Sequence, residues 1–291
     1  MLKVRFFISI LLISLILLTA CGSPATLEPT VVPSPTTAPV STPVPVEEGL
    51  KLILPTYTDN THEFYIELLQ KSLDAAGVKY TVELQKDLPQ NRAVQMVDEG
   101  QLSLIWLLAS AERDAKYTRV DVGLTSGLIG QRILLISPDK QADYANVQTL
   151  DDFRKLGKVG GFGKNWFDVK VWAANDLKYQ EIDGEWRVIY DMVAAGNRDM
   201  DYFSRGFTEI LGDALAHPNL QIEEHLVLIY DRDFYYYLSS TAKSYKGTIE
   251  NALLKAKADG LIDELVQKYW ADSFANLNMD KRVKIQLETP K

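Results

Sequence analysis

Residues 51–108 read KLILPTYTDNTHEFYIELLQKSLDAAGVKYTVELQKDLPQNRAVQMVDEGQLSLIWLL, in which strand-like and helix-like patterns alternate. The run at 102–108 is largely apolar, as expected of a buried parallel strand. The segment before Gly77 has apolar residues at helical spacing. The patterns predict strands at 51–54, 80–84 and 102–108, and helices at 62–76 and 89–99. This β-α-β-α-β order is typical of an open α/β sheet.

Strand-like and helix-like patterns continue to alternate along the rest of the body. The residue patterns predict further strands at 133–136, 158–162, 201–203, 226–230 and 235–238, and further helices at 167–176, 186–195 and 209–216. Two amphipathic helices close the chain on either side of Gly260. In the first of these, Ile249, Leu253 and Ala256 are expected to face the core.

The N-terminal 49 residues have a different composition. After Lys3 and Arg5, residues 6–18 form an apolar run too short to span a membrane, which needs about 20 residues, and typical of a signal peptide. Residues 22–48 hold seven of the chain's twelve prolines and no apolar periodicity, which predicts a disordered tether. We therefore expect a signal peptide over 1–20, a tether over 21–49 and a folded body over 50–291.

The chain has a single cysteine, Cys21, and it follows Leu18-Thr19-Ala20. This motif resembles the bacterial lipobox, in which the peptidase cuts before the cysteine and the thiol is lipidated. An ordinary signal peptide with an accidental cysteine is the alternative. The resemblance implies an extracytoplasmic lipoprotein, anchored in the membrane by acyl chains such as palmitate, because two chains suffice for stable anchoring.

Composition excludes several classes of function. The net charge of −8 argues against nucleic-acid binding, which needs a basic face. One cysteine cannot form an intrachain disulfide, and His62, His217 and His225 show no ligand spacing, so we expect no metal site. The glycine-rich loop at 160–163 lacks the Lys-Ser/Thr of a Walker A motif, and we expect no cofactor.

Several motifs resemble family 3 extracytoplasmic solute-binding proteins, which include the amino-acid receptors of ABC importers. The residues from Ala258-Asp259-Gly260 to Lys268-Tyr269-Trp270 resemble the family's closing helix. Ser110-Ala111-Glu112-Arg113 resembles its "T-x-x-R", and Leu150-Asp151-Asp152-Phe153 resembles its "sleDL". A narrower likeness links residues 127–132, 161–177 and Asp201-Tyr202-Phe203-Ser204-Arg205 to a poorly characterised "DYFPR" branch.

The resemblance implies a two-lobed α/β fold of the type II periplasmic-binding-protein kind, with two hinge crossovers. Lobe 1 would comprise about 50–135 and 231–291, and lobe 2 about 136–230. A small polar solute would bind in the cleft between the lobes, at the carboxyl ends of strands, and the lobes would close around it. The implied partners are the membrane, through Cys21, and an ABC permease, and we expect a monomer.

The same resemblance indicates site residues. Arg113 matches the arginine that binds the ligand carboxylate, for which guanidinium geometry is well suited, and Ser110 keeps the family's hydroxyl. In lobe 2 the family's acid for the ligand ammonium would fall at Gly206, where no acid stands. We therefore hypothesise a ligand dominated by acid groups, with Arg205 as a second anion contact and Tyr202 beside it. A structural ion pair is an equal interpretation of Arg205.

Aromatic residues are further candidates. Tyr57 stands where the family has a ligand-contacting aromatic. Trp106 contacts ligand or, in our preferred interpretation, belongs to the core. Trp166 contacts ligand or packs between the lobes. Asp168 contacts ligand or caps the following helix, and we prefer the cap.

The predicted function is capture of a small, carboxylate-bearing solute, an amino acid or organic acid, for an importer. An orphan sensor of the same fold is the alternative. A dehydratase-like enzyme is a weaker one, because Glu112 and Asp168 come with no acid–base partner in the sequence. We expect a non-enzyme.

Overall fold

The computed structural model describes residues 49–57, 60–196 and 200–290. The predicted signal peptide, Cys21 and most of the predicted tether lie outside the described residues. Within these ranges, no helix has the length and apolar character that a membrane span requires.

The body begins with the predicted β-α-β-α-β order. Its elements are β1 (Leu50–Pro55), α1 (Glu63–Ala75), β2 (Tyr80–Gln85), α2 (Gln90–Asp98) and β3 (Leu104–Leu108). β1 and β2 pair in parallel, and the backbone N–H of Ser103, just before β3, donates to the carbonyl oxygen of Ile53 at 2.8 Å. Every residue of β3 is buried, as the apolar run predicts.

The middle of the chain builds a second and larger sheet. After β3 come α3 (Ala111–Lys116), β4 (Thr118–Arg119), β5 (Gln131–Ile136), α4 (Leu150–Leu156), β6 (Val159–Gly163), α5 (Phe167–Ala174), β7 (Lys178–Ile182), α6 (Val188–Ala195), β8 (Tyr202–Gly206), α7 (Ile210–Ala216), β9 (Gln221–Ile222) and β10 (Leu226–Ile229). Strand β7 has no counterpart among the predicted strands. It lies at the sheet edge and has no fully buried residue. A strand of this kind needs no alternation of apolar and polar residues, so the sequence pattern does not reveal it.

The last part of the chain contributes one strand to the β3–β4 sheet and one to the larger sheet. Its elements are β11 (Phe234–Leu238), α8 (Lys246–Ala258), α9 (Leu261–Asn276) and β12 (Val283–Gln286). β11 lies antiparallel between β3 and β4, while β12 pairs in parallel with β10 in the larger sheet. In α8, Ile249, Leu253 and Ala256 are buried, as their spacing predicts.

The sheets divide the body into two lobes. We define lobe 1 as β1–β4, β11 and the helices α1–α3, α8 and α9, and lobe 2 as the larger sheet with α4–α7. The larger sheet has the order β12-β10-β5-β8-β6-β7, with β9 beside β5. This differs from the expected division, because β5 and β12 join lobe 2. We propose that lobe 2 spans about 129–232 and 277–290.

The two expected crossovers between the lobes lie side by side and share one acid. Asp233 Oδ1 accepts from the Thr125 hydroxyl at 2.5 Å and from the Thr125 backbone N–H at 3.0 Å. Asp233 Oδ2 accepts from the Gly127 backbone N–H at 3.0 Å. The segment from α9 to β12 adds a third passage between the lobes.

Candidate functional site

A cavity of about 600 Å³ lies between the lobes, and side chains of both lobes line it. This volume is in the usual range for small-molecule sites. Six of the eight predicted site residues line it, namely Tyr57, Trp106, Arg113, Trp166, Asp168 and Arg205. Much of the rest of the lining is aromatic.

Arg113 is the cation of the lobe 1 wall. It sits in the first turn of α3, immediately after β3, and its Nη1 donates to the carbonyl oxygen of Leu108 at 2.5 Å. No carboxylate of the described ranges pairs with it. Burial lowers the pKa of Arg113 from its ordinary value, while Tyr237, Glu112 and Asp168 oppose that shift. Arg113 is thus a half-buried cation whose charge is available to a ligand.

Two predicted site residues do not reach the cavity. The Ser110 hydroxyl accepts from the Arg113 backbone N–H at 3.3 Å, so it caps α3. Ser110 borders a separate surface crevice instead. Tyr202 is fully buried in the core of lobe 2, where its hydroxyl accepts from Trp172 Nε1 at 2.7 Å. Ser110 therefore positions Arg113, and Tyr202 is a core residue.

Arg205 is buried and forms ion pairs, in line with the structural interpretation of this residue. Its Nε lies 2.5 Å from Asp213 Oδ2, and its Nη2 lies 3.4 Å from Glu209 Oε1. Burial lowers the pKa of Arg205, but the charges of Asp213 and Glu209 outweigh burial and leave the pKa raised. The role of Arg205 as a second anion contact is not supported, because two carboxylates already neutralise it.

Asp168 pairs with Arg132 on β5, the last residue of the 127–132 motif, which was not among the predicted site residues. Arg132 Nη2 lies 3.0 Å from Asp168 Oδ1, which also accepts from the Tyr230 hydroxyl at 2.9 Å. The preferred interpretation of Asp168 as a helix cap is wrong. Trp166 holds the N-cap position of α5, and Asp168 lies inside the first turn without capping it.

These residues form one chain of alternating charges along the lobe 2 wall. Its order is Asp168, Arg132, Glu209, Arg205 and Asp213, and Glu209 Oε2 lies 3.7 Å from Arg132 Nη1. Three carboxylates against two guanidiniums leave one excess negative charge. Gly206, where the family's acid would fall, is not acidic, but other residues supply acids to this wall. Glu209 and Asp213 supply acids three and seven residues beyond Gly206, a spacing that placed them outside the family's pattern.

Aromatic rings cover much of both walls. In lobe 1, Trp106 stacks on Tyr65 with centroids 4.8 Å apart, and Tyr57 meets Trp106 edge-on at 5.7 Å. Trp106 is 6% exposed, so it belongs to the core and lines the cavity at once. In lobe 2, Trp166 packs against Trp186 at 5.1 Å. Trp166 packs within its own lobe rather than between lobes.

Within residues 49–57, 60–196 and 200–290, no cluster of three His, Cys, Asp or Glu side chains could hold a metal ion.

Comparisons with known proteins rest on structure alone. No family model matches the chain, and no curated protein matches it. Among solved structures, the amino acid ABC transporter substrate-binding protein AbpA of Streptococcus pneumoniae, bound to L-arginine, is 17% identical with a TM-score of 0.55, over 77% of this chain and 95% of that one. The architecture is the two-lobed periplasmic-binding-protein-like α/β fold. 

Two further solved structures are similar to the chain in fold. An ancestral arginine-binding protein bound to glutamine is 15% identical with a TM-score of 0.56, over 76% of this chain and 97% of that one. The GluR0 ligand-binding core in complex with L-glutamate is 13% identical with a TM-score of 0.57, over 77% and 99%. At these identities the likeness concerns the fold, so function has to be argued from the cavity.

Proposed function

We propose that this protein is an extracytoplasmic solute-binding protein that captures a small carboxylate-bearing solute between its lobes and delivers it to an ABC importer. The observation that carries the proposal is Arg113, a half-buried guanidinium with no carboxylate partner within the described residues, facing a cavity of about 600 Å³. A half-buried cation without a counter-charge is unfavourable, and a ligand carboxylate would supply that counter-charge.

The opposite wall favours a solute that also carries a positive charge. The lobe 2 charge chain has one excess carboxylate, and the charge of Asp168 reaches Arg113, where it opposes the lowering of the Arg113 pKa by burial. A carboxylate at Arg113 with an ammonium towards lobe 2 would complement both walls. Between the two candidate solutes, we therefore favour an amino acid over an acid-dominated ligand.

Membrane anchoring at Cys21 and the importer partner belong to the same proposal. The lipobox-like motif supports the anchor, and the proline-rich tether would keep the body near the membrane at high effective concentration. The three compared structures, which are described as binding proteins or a ligand-binding core, support the role of the cavity. A monomer suffices for this role, because both walls of the cavity come from one chain.

A catalytic role is not proposed. Glu112, one of the two acids considered for it, is largely exposed and pairs with Lys170 at 3.3 Å. Asp168, the other, is held by Arg132 and Tyr230. Each acid is thus already engaged by a partner and is not placed as a free acid or base for a ligand.

The experiment is calorimetry on the full-length chain with L-amino acids and with the matching carboxylic acids that lack the amino group. We expect binding by amino acids, weaker binding by the acids, and a loss of at least about 30-fold in affinity with Arg113→Ala. Arg92→Ala, which removes an exposed arginine on α2, is the matched control. Unchanged affinity in Arg113→Ala would contradict the proposal.

A further inference from the structure

An unbroken row of aromatic rings forms the lobe 1 side of the cavity. We call it the aromatic row, and its members in spatial order are Tyr57, Trp106, Tyr65, Phe64 and Trp270. Successive centroids are 5.7, 4.8, 5.1 and 4.4 Å apart. All five line the cavity. Because each ring already packs against the next, the row is a preformed apolar surface that costs little to order on binding.

The aromatic row begins close to the proposed carboxylate site. Arg113 is held against the carbonyl oxygen of Leu108 at the end of β3. Trp106 lies two residues earlier on the same strand, and both Trp106 and Arg113 line the cavity. Two strand residues span about 7 Å. A ligand whose carboxylate binds Arg113 would therefore place a group one ring-length away against Trp106 and Tyr57.

The aromatic rings of lobe 2 already hold cations. The Arg205 guanidinium lies 5.6 Å from the Trp166 centroid and 5.1 Å from the Trp186 centroid. Arg187 lies 4.6 Å from the same Trp186 ring. Because guanidiniums already lie at these rings, a basic ligand side chain would have to compete with them for the same cation–π contacts. A neutral ring entering between the two aromatic walls meets no such competition.

We infer that the solute carries a planar aromatic ring, held between the aromatic row and Trp166, with its carboxylate on Arg113. This rests on the proposed function, since it takes Arg113 as the carboxylate site. Aromatic pairs gain from ring geometry as well as from burial, so an aromatic ring gains more here than an aliphatic group of equal size. The solute class is an aromatic amino acid or a close analogue.

The test is calorimetry on the full-length chain with L-phenylalanine, L-tryptophan, L-leucine and L-alanine, which share one head group. We expect phenylalanine or tryptophan to bind at least about tenfold more tightly than leucine, and more tightly still than alanine. Leucine or alanine binding as tightly as both aromatic ligands, with binding still lost in Arg113→Ala, would overturn this inference and leave the proposed function standing. No binding by any amino acid or carboxylate would overturn both.

A variant separates the aromatic row from general packing. Tyr57 is half-buried, and Tyr57→Leu is expected to weaken phenylalanine binding several-fold and to leave leucine binding within twofold. Tyr179→Leu, on the edge strand β7 and away from the cavity, is the matched control and should change neither. Equal losses for phenylalanine and leucine in Tyr57→Leu would contradict a role for the ring.

Discussion

Arg132 Nη2 lies 3.0 Å from Asp168 Oδ1, and the two side chains are almost fully buried at the wall of the interlobe cavity. Arg132 also donates to the carbonyl oxygen of Ser204 at 2.9 Å, which ties β5 to β8. The pair therefore joins the sheet of lobe 2 to the start of α5. It fixes the position from which Asp168 faces the cavity.

Removal of the guanidinium should destabilise the fold. Arg132→Met leaves Asp168 buried without its cation, and breaking a buried pair in this way costs about 3–5 kcal/mol. Urea denaturation would measure the loss in the free energy of unfolding. Arg92→Met, an exposed position on α2, is the control and should change it by less than about 0.5 kcal/mol. A loss of similar size in both variants would show that Arg132 and Asp168 are not coupled.

Local patterns predicted the elements with a clear apolar pattern, because neighbouring residues specify them, but not the edge strand β7, which has no such pattern. Strand β3 and helix α8 are examples, since their apolar spacing alone identifies them. The charged wall of the cavity could not be predicted in the same way. Arg132 and Asp168 are 36 positions apart and belong to different elements, so their contact depends on the order of strands in the sheet.

Arg205 shows the limit of reading a site from a motif. The motif predicts a cation near the ligand at this position, and Arg205 does line the cavity. Its partner Asp213 lies eight residues later, on the next helix, and no sequence pattern links the two. Whether a cation is free for a ligand depends on such partners, which are a property of the packed structure.

The excess charge of the lobe 2 charge chain should control the choice between zwitterionic and acidic ligands. Asp213→Asn leaves two carboxylates against two guanidiniums, so the attraction for a ligand ammonium falls. We expect the preference for L-phenylalanine over 3-phenylpropionate, which lacks only the amino group, to shrink by about tenfold. Calorimetry with both ligands measures the preference.

The control for this change is Asp183→Asn, an exposed acid paired with Lys164 on the surface of lobe 2. It alters the net charge equally without touching the cavity, and it should leave the preference unchanged. An unchanged preference in Asp213→Asn would show that Asp213 does not face the ligand ammonium.

Acid should weaken the contact between α1 and α9. Hydrogen bonds from Lys268 and Tyr269 lower the pKa of Glu67 from 4.5 to about 2. Because the folded-state pKa lies below the unfolded-state value, these bonds stabilise the fold above about pH 4.5, and that stability is lost as the pH falls towards about 2. The side chain is partly exposed, so solvent screening limits the effect to about 1 kcal/mol or less.

Urea denaturation between pH 6 and pH 2 would test this dependence. The unfolding free energy of the wild type should fall more steeply below pH 4.5 than that of Glu67→Gln, whose side chain does not titrate. Glu112→Gln, with its largely exposed carboxylate, is the control and should follow the wild-type curve. Parallel curves for the wild type and Glu67→Gln would contradict the assignment.

The position of the Trp166 side chain should depend on Gly163, the last residue of β6. A Cβ at this position would lie 2.6 Å from the Trp166 indole, closer than real Cβ contacts. Gly163→Ala must therefore displace the ring from Arg205 and Phe203, at a cost of about 1–3 kcal/mol. Since Trp166 lines the cavity, the displacement should also lower affinity for aromatic ligands, with a change in tryptophan fluorescence as the direct readout.

Gly247→Ala, in α8 with open space around it, is the matched control and should stabilise the helix by about 0.5–1 kcal/mol. If Gly163→Ala keeps the wild-type fluorescence and affinity, the position of Trp166 does not depend on the missing side chain.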